Sequence, residues 1–217
     1  MAKNFHRVSL VALGVATFAT SALAGPNDMD IAGVKLGMEW AEAEQKLIAA
    51  NYACRSSGTI KTFQERVQSE IKRRNGEFEA WPQQSGTRFW WCEGKSGEEL
   101  QIGLAHPELG PVIDTLKLYV TSDRFDLARF EEQVSAKYGL PTGGTVKNGV
   151  WCTNGATRCG GIGEDNPYFR TISQQGFDTT VSFSILAERG STVSKTETEA
   201  VMREADQLSP KNNSAAF

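Results

Sequence analysis

Histidine is nearly missing from this chain of 217 residues: only His6 and His106 occur. A His-rich metal centre or a multi-histidine mechanism is excluded on that count alone. No run of apolar residues reaches the length of about 18 that marks a membrane span, so no transmembrane segment is expected beyond the leader described below. Positive charge is not in excess, with 23 Lys and Arg against 26 Asp and Glu, which argues against a nucleic-acid partner. The four cysteines form no C-x2-C pair, so neither a zinc knuckle nor a thioredoxin-like centre is expected. There is no G-x-S-x-G nucleophile elbow, no Walker loop and no dinucleotide fingerprint. No cofactor and no metal are expected.

What is present starts with an export signal. Lys3, His6 and Arg7 precede an apolar run from Val8 to Phe18, and Ala22-Leu23-Ala24 is a small-x-small cleavage site. This pattern reads as a secretory leader, residues 1–24, cut after Ala24. No Cys follows the cut, so a lipoprotein anchor is not expected. Removing Lys3 and Arg7, two positive charges with no acid beside them, moves the formal charge from −3 to −5. The expected location is therefore the periplasm or the exterior.

All four cysteines, Cys54, Cys92, Cys152 and Cys159, lie after the leader. An even count in an oxidising compartment reads as two disulfides. A four-residue hairpin loop, Asn154 to Thr157, would set Cys152 opposite Cys159 and leave Cys54 for Cys92. The alternative joins Cys92 to Cys152, since each follows a Trp on a predicted strand.

Periodicity divides the rest. Trp40, Ala43, Leu47 and Ala50 recur at helical spacing, and Asn51 ends that segment. A second helix is predicted from Thr59 to Arg74 on Ile60, Phe63, Val67 and Ile71. A third starts at Asp126, a good N-cap, carries Leu127, Phe130, Val134 and Tyr138, and stops at Gly139-Leu140-Pro141. A short final helix is expected around Lys195 to Leu208. Between them the period becomes two: Leu100, Ile102 and Leu104; Leu116, Leu118 and Val120; Val181, Phe183 and Ile185. Phe89-Trp90-Trp91 and Gly149-Val150-Trp151 add shorter strands. Such alternation is the habit of antiparallel sheets. The fold class is α+β, two or three helices packed on an antiparallel sheet. One domain spans 25–208, with tandem helix-plus-strands repeats (31–121 and 122–188) as one reading, and 209–217 is a polar tail.

The segment Val34-Lys35-Leu36-Gly37-Met38-Glu39-Trp40-Ala41-Glu42-Ala43-Glu44 resembles the repeat opening of the β-lactamase-inhibitor-protein fold and of outer-membrane-assembly lipoproteins. The Lys137-Tyr138-Gly139-Leu140-Pro141 helix exit is similar to that of many exported bacterial proteins without an assigned function. The resemblance implies a role in binding other proteins.

Four features of the sequence bear on chemistry. His106, in Ala105-His106-Pro107, is expected to be a polar surface group. Gly160-Gly161-Ile162-Gly163 precedes Glu164-Asp165, which would repel phosphate, so a flexible connection is expected. Lys61, Arg66, Lys72, Arg73 and Arg74 make the second helix basic; Lys61, Arg66, Lys72 and Arg73 fall opposite its apolar stripe and read as a solvated face. Trp81, Trp90, Trp91 and Trp151 lie on or near strands, and adjacent Trp90 and Trp91 must point to opposite faces. One of the two therefore lies away from the main core, where packing under a loop is favoured over contact with a protein partner or a sugar; for such a contact Arg88, Trp90 and Arg158 are the candidate binding patch. The expected function is a non-catalytic binding or interaction module for an envelope protein or cell-wall ligand. The alternative is a hydrolase of envelope material acting through acids such as Glu98 and Asp114.

Overall fold

Alternation at Leu100–Leu104, Leu116–Val120 and Val181–Ile185 places these three segments side by side at the middle of one sheet. The computed structural model describes residues 25–26, 28–123, 125–161, 164–176 and 180–209. The predicted leader and all but Ser209 of the predicted tail lie outside them. A small ribbon, β1 (Asp30–Ile31) and β2 (Val34–Lys35), turns at Ala32 and Gly33, both with positive φ. It leads into α1 (Trp40–Ala49), β3 (Ala53–Ile60), α2 (Phe63–Arg74), β4 (Gly86–Glu93), β5 (Glu99–Ala105) and β6 (Val112–Thr121). Then come α3 (Leu127–Tyr138), β7 (Gly143–Thr145), β8 (Asn148–Cys152), β9 (Tyr168–Gln175), β10 (Val181–Glu188) and α4 (Ser191–Leu208).

The fold is α+β, with four helices and an eight-stranded antiparallel sheet among the described residues. The strand order is β3-β4-β5-β6-β10-β9-β8-β7. Read outward from the centre, each half is a four-strand meander, and each meander follows a helix: α1 before β3–β6, α3 before β7–β10. The two halves join where β6 pairs with β10, Leu118 opposite Ile185.

Ladder register shows which side chains share a face. Trp90, Ile102, Leu116, Ala187, Phe169 and Trp151 stand opposite one another across six strands. Next to them run Cys92, Leu100, Leu118, Ile185 and Thr171. Ala43 and Leu47 of α1 and Val134 of α3 join this face in one buried core. Phe130 of α3 meets Phe183 edge-on at 5.3 Å, and Tyr138 lies 4.5 Å from the Phe169 ring. Full burial of each such side chain contributes about 1.5–3 kcal/mol.

Helix α2 starts later than its apolar spacing suggests. Thr59 and Ile60 belong to β3, and Thr62 caps the helix in a reciprocal box with Glu65. The cap satisfies backbone N–H groups that a start at Thr59 would leave to chance. Helix α4 is longer than expected, beginning at Ser191. Phe63 and Val67 of α2 pack against Val201 and Ala205 of α4 in a second, smaller cluster.

Two disulfides close, Cys54–Cys92 and Cys152–Cys159. The first joins directly opposed residues of β3 and β4. The second has the expected pairing without the expected hairpin. Cys152 ends β8 opposite Tyr168 of β9, a 3-10 turn covers Thr153–Gly155, and Cys159 sits in the loop that follows. Among the described residues no helix is long and apolar enough to cross a membrane. Two disulfides are consistent with an oxidising compartment.

Candidate functional site

Strand β4 decides where the tryptophans go. Side chains alternate along a strand, and Cys92 points to the helix-covered face, buried at 2% exposure. Trp90, two residues before it, points the same way. Its ring stacks on Trp40 of α1 with centroids 4.3 Å apart and planes 14° from parallel. Its indole N–H is buried without a hydrogen-bond partner. Trp90 is thus a packing residue of the helix face.

Arg88 is exposed, its guanidinium 4.9 Å from the centre of the Phe89 ring. Arg158 lies in the loop before Cys159, beyond β8. Four strands separate β4 from β8, a distance of about 24 Å at normal strand spacing. The structure does not bring Arg88, Trp90 and Arg158 together.

Trp91 is the residue that the tryptophan pair delivers to the open face. Its cross-strand neighbours are Arg55 on β3 and Gln101 on β5. The row continues through Lys117, Leu186 and Arg170 to Val150. Every member from Trp91 to Val150 is half-buried, and Arg55 is exposed. Beside this row run Glu93, Glu99, Tyr119, Ser184 and Ile172. The Lys117 ammonium lies 4.5 Å above the Tyr119 ring, a cation–π contact. Two hollows meet at Trp91 and Glu99. One, of 470 Å³, lies over Ala53, Arg55 and Glu93. The other, of 460 Å³, lies over Tyr119, Thr121 and Gly97. The sequence held the signal for this: a disulfide-bonded, buried Cys92 puts Trp90 inward and Trp91 outward.

The two acids of the hydrolase reading are far apart. Glu98 sits in the β4–β5 turn, where it bonds the Tyr52 phenol; burial, with Glu98 beside it, pushes that phenol up. A Cβ on Gly94 would meet the Glu98 carboxylate at 2.1 Å, so a side chain there would make Glu98 move. Asp114 stands near the far end of β6, 3.9 Å from Arg189. Burial pushes its carboxyl up. Glu99 pairs with Tyr119, five residues from Asp114, so the acids are separated by about 17 Å of strand. Paired glycosidase carboxylates lie roughly 5–9.5 Å apart. Asp114 instead lines a 520 Å³ cleft with Thr115, Tyr168, Arg170, Glu188 and Arg189. There the Tyr168 hydroxyl bonds Glu188, and burial pushes the phenol up.

His106 is buried, contrary to the expectation of a surface group. Its Nε2 is 2.7 Å from the Thr87 carbonyl, and a Cβ on Gly86 would strike the ring at 2.8 Å. The imidazole is a satisfied packing group under a glycine. The basic face of α2 is also not simply solvated. Lys61 and Lys72 both reach Glu79, at 3.0 and 3.1 Å. Arg74 reaches Asp206 of α4 at 2.6 Å, and Arg66 lies 3.9 Å from Glu197. Arg73, holding Glu70, remains largely exposed. Gly160 packs on the Tyr168 ring at 3.1 Å from a built Cβ; Ile162 and Gly163 lie outside the described residues. Among the described residues no group of three or more His, Cys, Asp or Glu is placed to hold a metal ion.

Comparison with known proteins returns no relative: no family, no curated protein and no solved structure matches this chain.

Proposed function

We propose that the protein is an exported, periplasmic binding module without catalytic activity, and that it engages an envelope protein or cell-wall ligand through the open face of its sheet. The observation that carries this reading is the in-register row Arg55–Trp91–Gln101–Lys117–Leu186–Arg170, which spans six strands beside two shallow hollows. A half-buried indole flanked by long polar side chains offers apolar area and directional bonds together, the mixture that recognition surfaces use. The leader pattern and the two disulfides support export. The Leu36-Gly37-Met38 opening, followed by a helix and a four-strand meander, supports a binding role by resemblance.

The test uses the full chain, immobilised and exposed to solubilised envelope and to cell-wall fragments. The expected result is retention of a protein or wall component that is lost in Trp91→Ala and kept in Trp81→Ala, which alters a fully exposed tryptophan off the sheet. Equal retention by Trp91→Ala would remove the open face from the function.

A further inference from the structure

We infer that the groove around Trp91 takes a short neutral glycan chain; this rests on the reading of the open face as the binding face. Three observations select sugar over a protein surface. First, the direct cross-strand neighbours of the indole are planar hydrogen-bonding groups, with Phe89 the aromatic beside it along β4. Arg55 and Gln101 are those neighbours, and Glu99 lines both hollows with Trp91. The centre of a protein–protein interface is depleted in charge, whereas a pyranose presents an apolar C–H face to stack and a rim of hydroxyls to bond. Carboxylate, amide and guanidinium groups each bond vicinal hydroxyls well.

Second, among the described residues the large exposed apolar side chains lie elsewhere. Ile48, Phe78, Trp81, Leu109, Leu140, Met202 and Leu208 belong to helices and loops, and none stands on the open face. Third, the groove has the size of a small-ligand site. Each hollow exceeds 450 Å³, within the 300–1,000 Å³ typical of ligand pockets. Together they cross β3 to β6, about 14 Å at normal spacing, which accommodates a few sugar rings in line. Charge narrows the class. Glu93 and Glu99 face each other across β4 and β5, and among the described residues lining the hollows Arg55 is the one cation, against Glu93, Glu99 and Asp123. A polyanionic chain would meet net repulsion there.

The experiment is calorimetric titration of the full chain with cellotetraose, mannotetraose and the tetramer of N-acetylglucosamine, with a sulfated dextran oligomer as the anionic counter-probe. At least one neutral tetramer is expected to bind. Trp91→Ala should weaken it about tenfold or more, Glu99→Gln should weaken it less, and Trp81→Ala should leave it unchanged. Glu99→Gln keeps the shape of the strand, so the test survives if Trp91→Ala folds poorly. Tighter binding of the sulfated oligomer than of every neutral tetramer overturns the proposal. So does no heat with any neutral tetramer. If Trp91→Ala still abolishes retention of an envelope protein in that case, the glycan assignment alone fails. If retention is also unaffected, the open face fails with it.

Discussion

The sheet core and the α2–α4 pair are held by different physics. Beneath α1 and α3, nineteen buried side chains among the described residues form one apolar cluster, with Phe169 and Phe183 its largest fully buried members. Between α2 and α4 four of the described residues are buried, Phe63, Val67, Val201 and Ala205. What the smaller contact lacks in apolar area it supplements with charge. Glu70 holds both Arg73 and Arg74, Arg74 also holds Asp206, and Glu197 meets Arg66 and Arg189. Glu79 gathers Lys61, Ser69 and Lys72, tying the loop after α2 back onto the helix. Apolar burial resists pH and salt, whereas such ion pairs are screened and titrate. The pair should therefore open separately from the core, as a local unit of lower stability.

The largest test of that difference is truncation within each cluster. Phe183→Ala should lower global stability by about 3–5 kcal/mol through the lost contacts and the cavity. Val67→Ala, also fully buried, should cost about 1–3 kcal/mol. Urea unfolding should report Phe183→Ala in full. The effect of Val67→Ala should appear chiefly as faster amide exchange in α2 and α4. An equal global loss from both variants would show that the two clusters unfold as one.

Acid sharpens the contrast next. Hydrogen bonds from Arg73 and Arg74 hold the Glu70 carboxyl down at about 2. Those from Lys61, Ser69 and Lys72 do the same for Glu79, also to about 2. A carboxyl lowered in the folded state stabilises it above the unfolded value, near 4.5, and loses that contribution as pH falls toward 2. Protection of α2 and α4 amides, corrected for intrinsic exchange, should therefore drop between pH 4.5 and 2. Protection in β5, β6 and β10 should hold longer. Simultaneous loss in all of them would break the comparison.

The same contrast explains what the sequence made legible. The middle strands β5, β6 and β10 were readable because one face is buried and the other wet, which leaves alternation in the residues. β3 was not: it is an edge strand, and only Cys54 and Ile60 in Ala53–Ile60 are even half-buried, so no period survives. β9 escaped for the opposite reason, since Tyr168 and Phe169 are both buried and alternation vanishes there too. The ion-paired helix face was misread because its acidic partners, Glu79, Glu197 and Asp206, come from a loop and a distant helix. Local spacing carries no trace of them. At the candidate site the fact that two tryptophans face opposite ways was legible. Their assignment to faces follows from the burial of Cys92, and the stack of Trp90 on Trp40, fifty residues upstream in α1, agrees with it.

Helix caps give the smallest and most local test. Both α2 and α3 begin at a capping side chain, so removal of either deletes the same kind of bond from the two regions. Thr62 accepts from the Glu65 N–H while the Glu65 carboxylate accepts from the Thr62 N–H at 2.9 Å. That carboxylate also accepts from the Ser85 N–H at 3.1 Å, which fastens the start of β4 to α2. Asp126 accepts a single bond from the Arg129 N–H at 3.3 Å. Thr62→Ala and Asp126→Ala should each cost about 1 kcal/mol. Their readouts should differ because the helices rest on different clusters. In α2, with little apolar area to hold it, the loss should fall on the local opening equilibrium and speed α2 amide exchange about fivefold, with a small shift in the urea midpoint. In α3, whose Phe130 lies against Phe183, the helix leaves only with the core, so the loss should register in the global midpoint. A global shift from Thr62→Ala as large as that from Asp126→Ala would mean that the bond from Glu65 to Ser85 couples α2 to the sheet more strongly than its small apolar contact suggests.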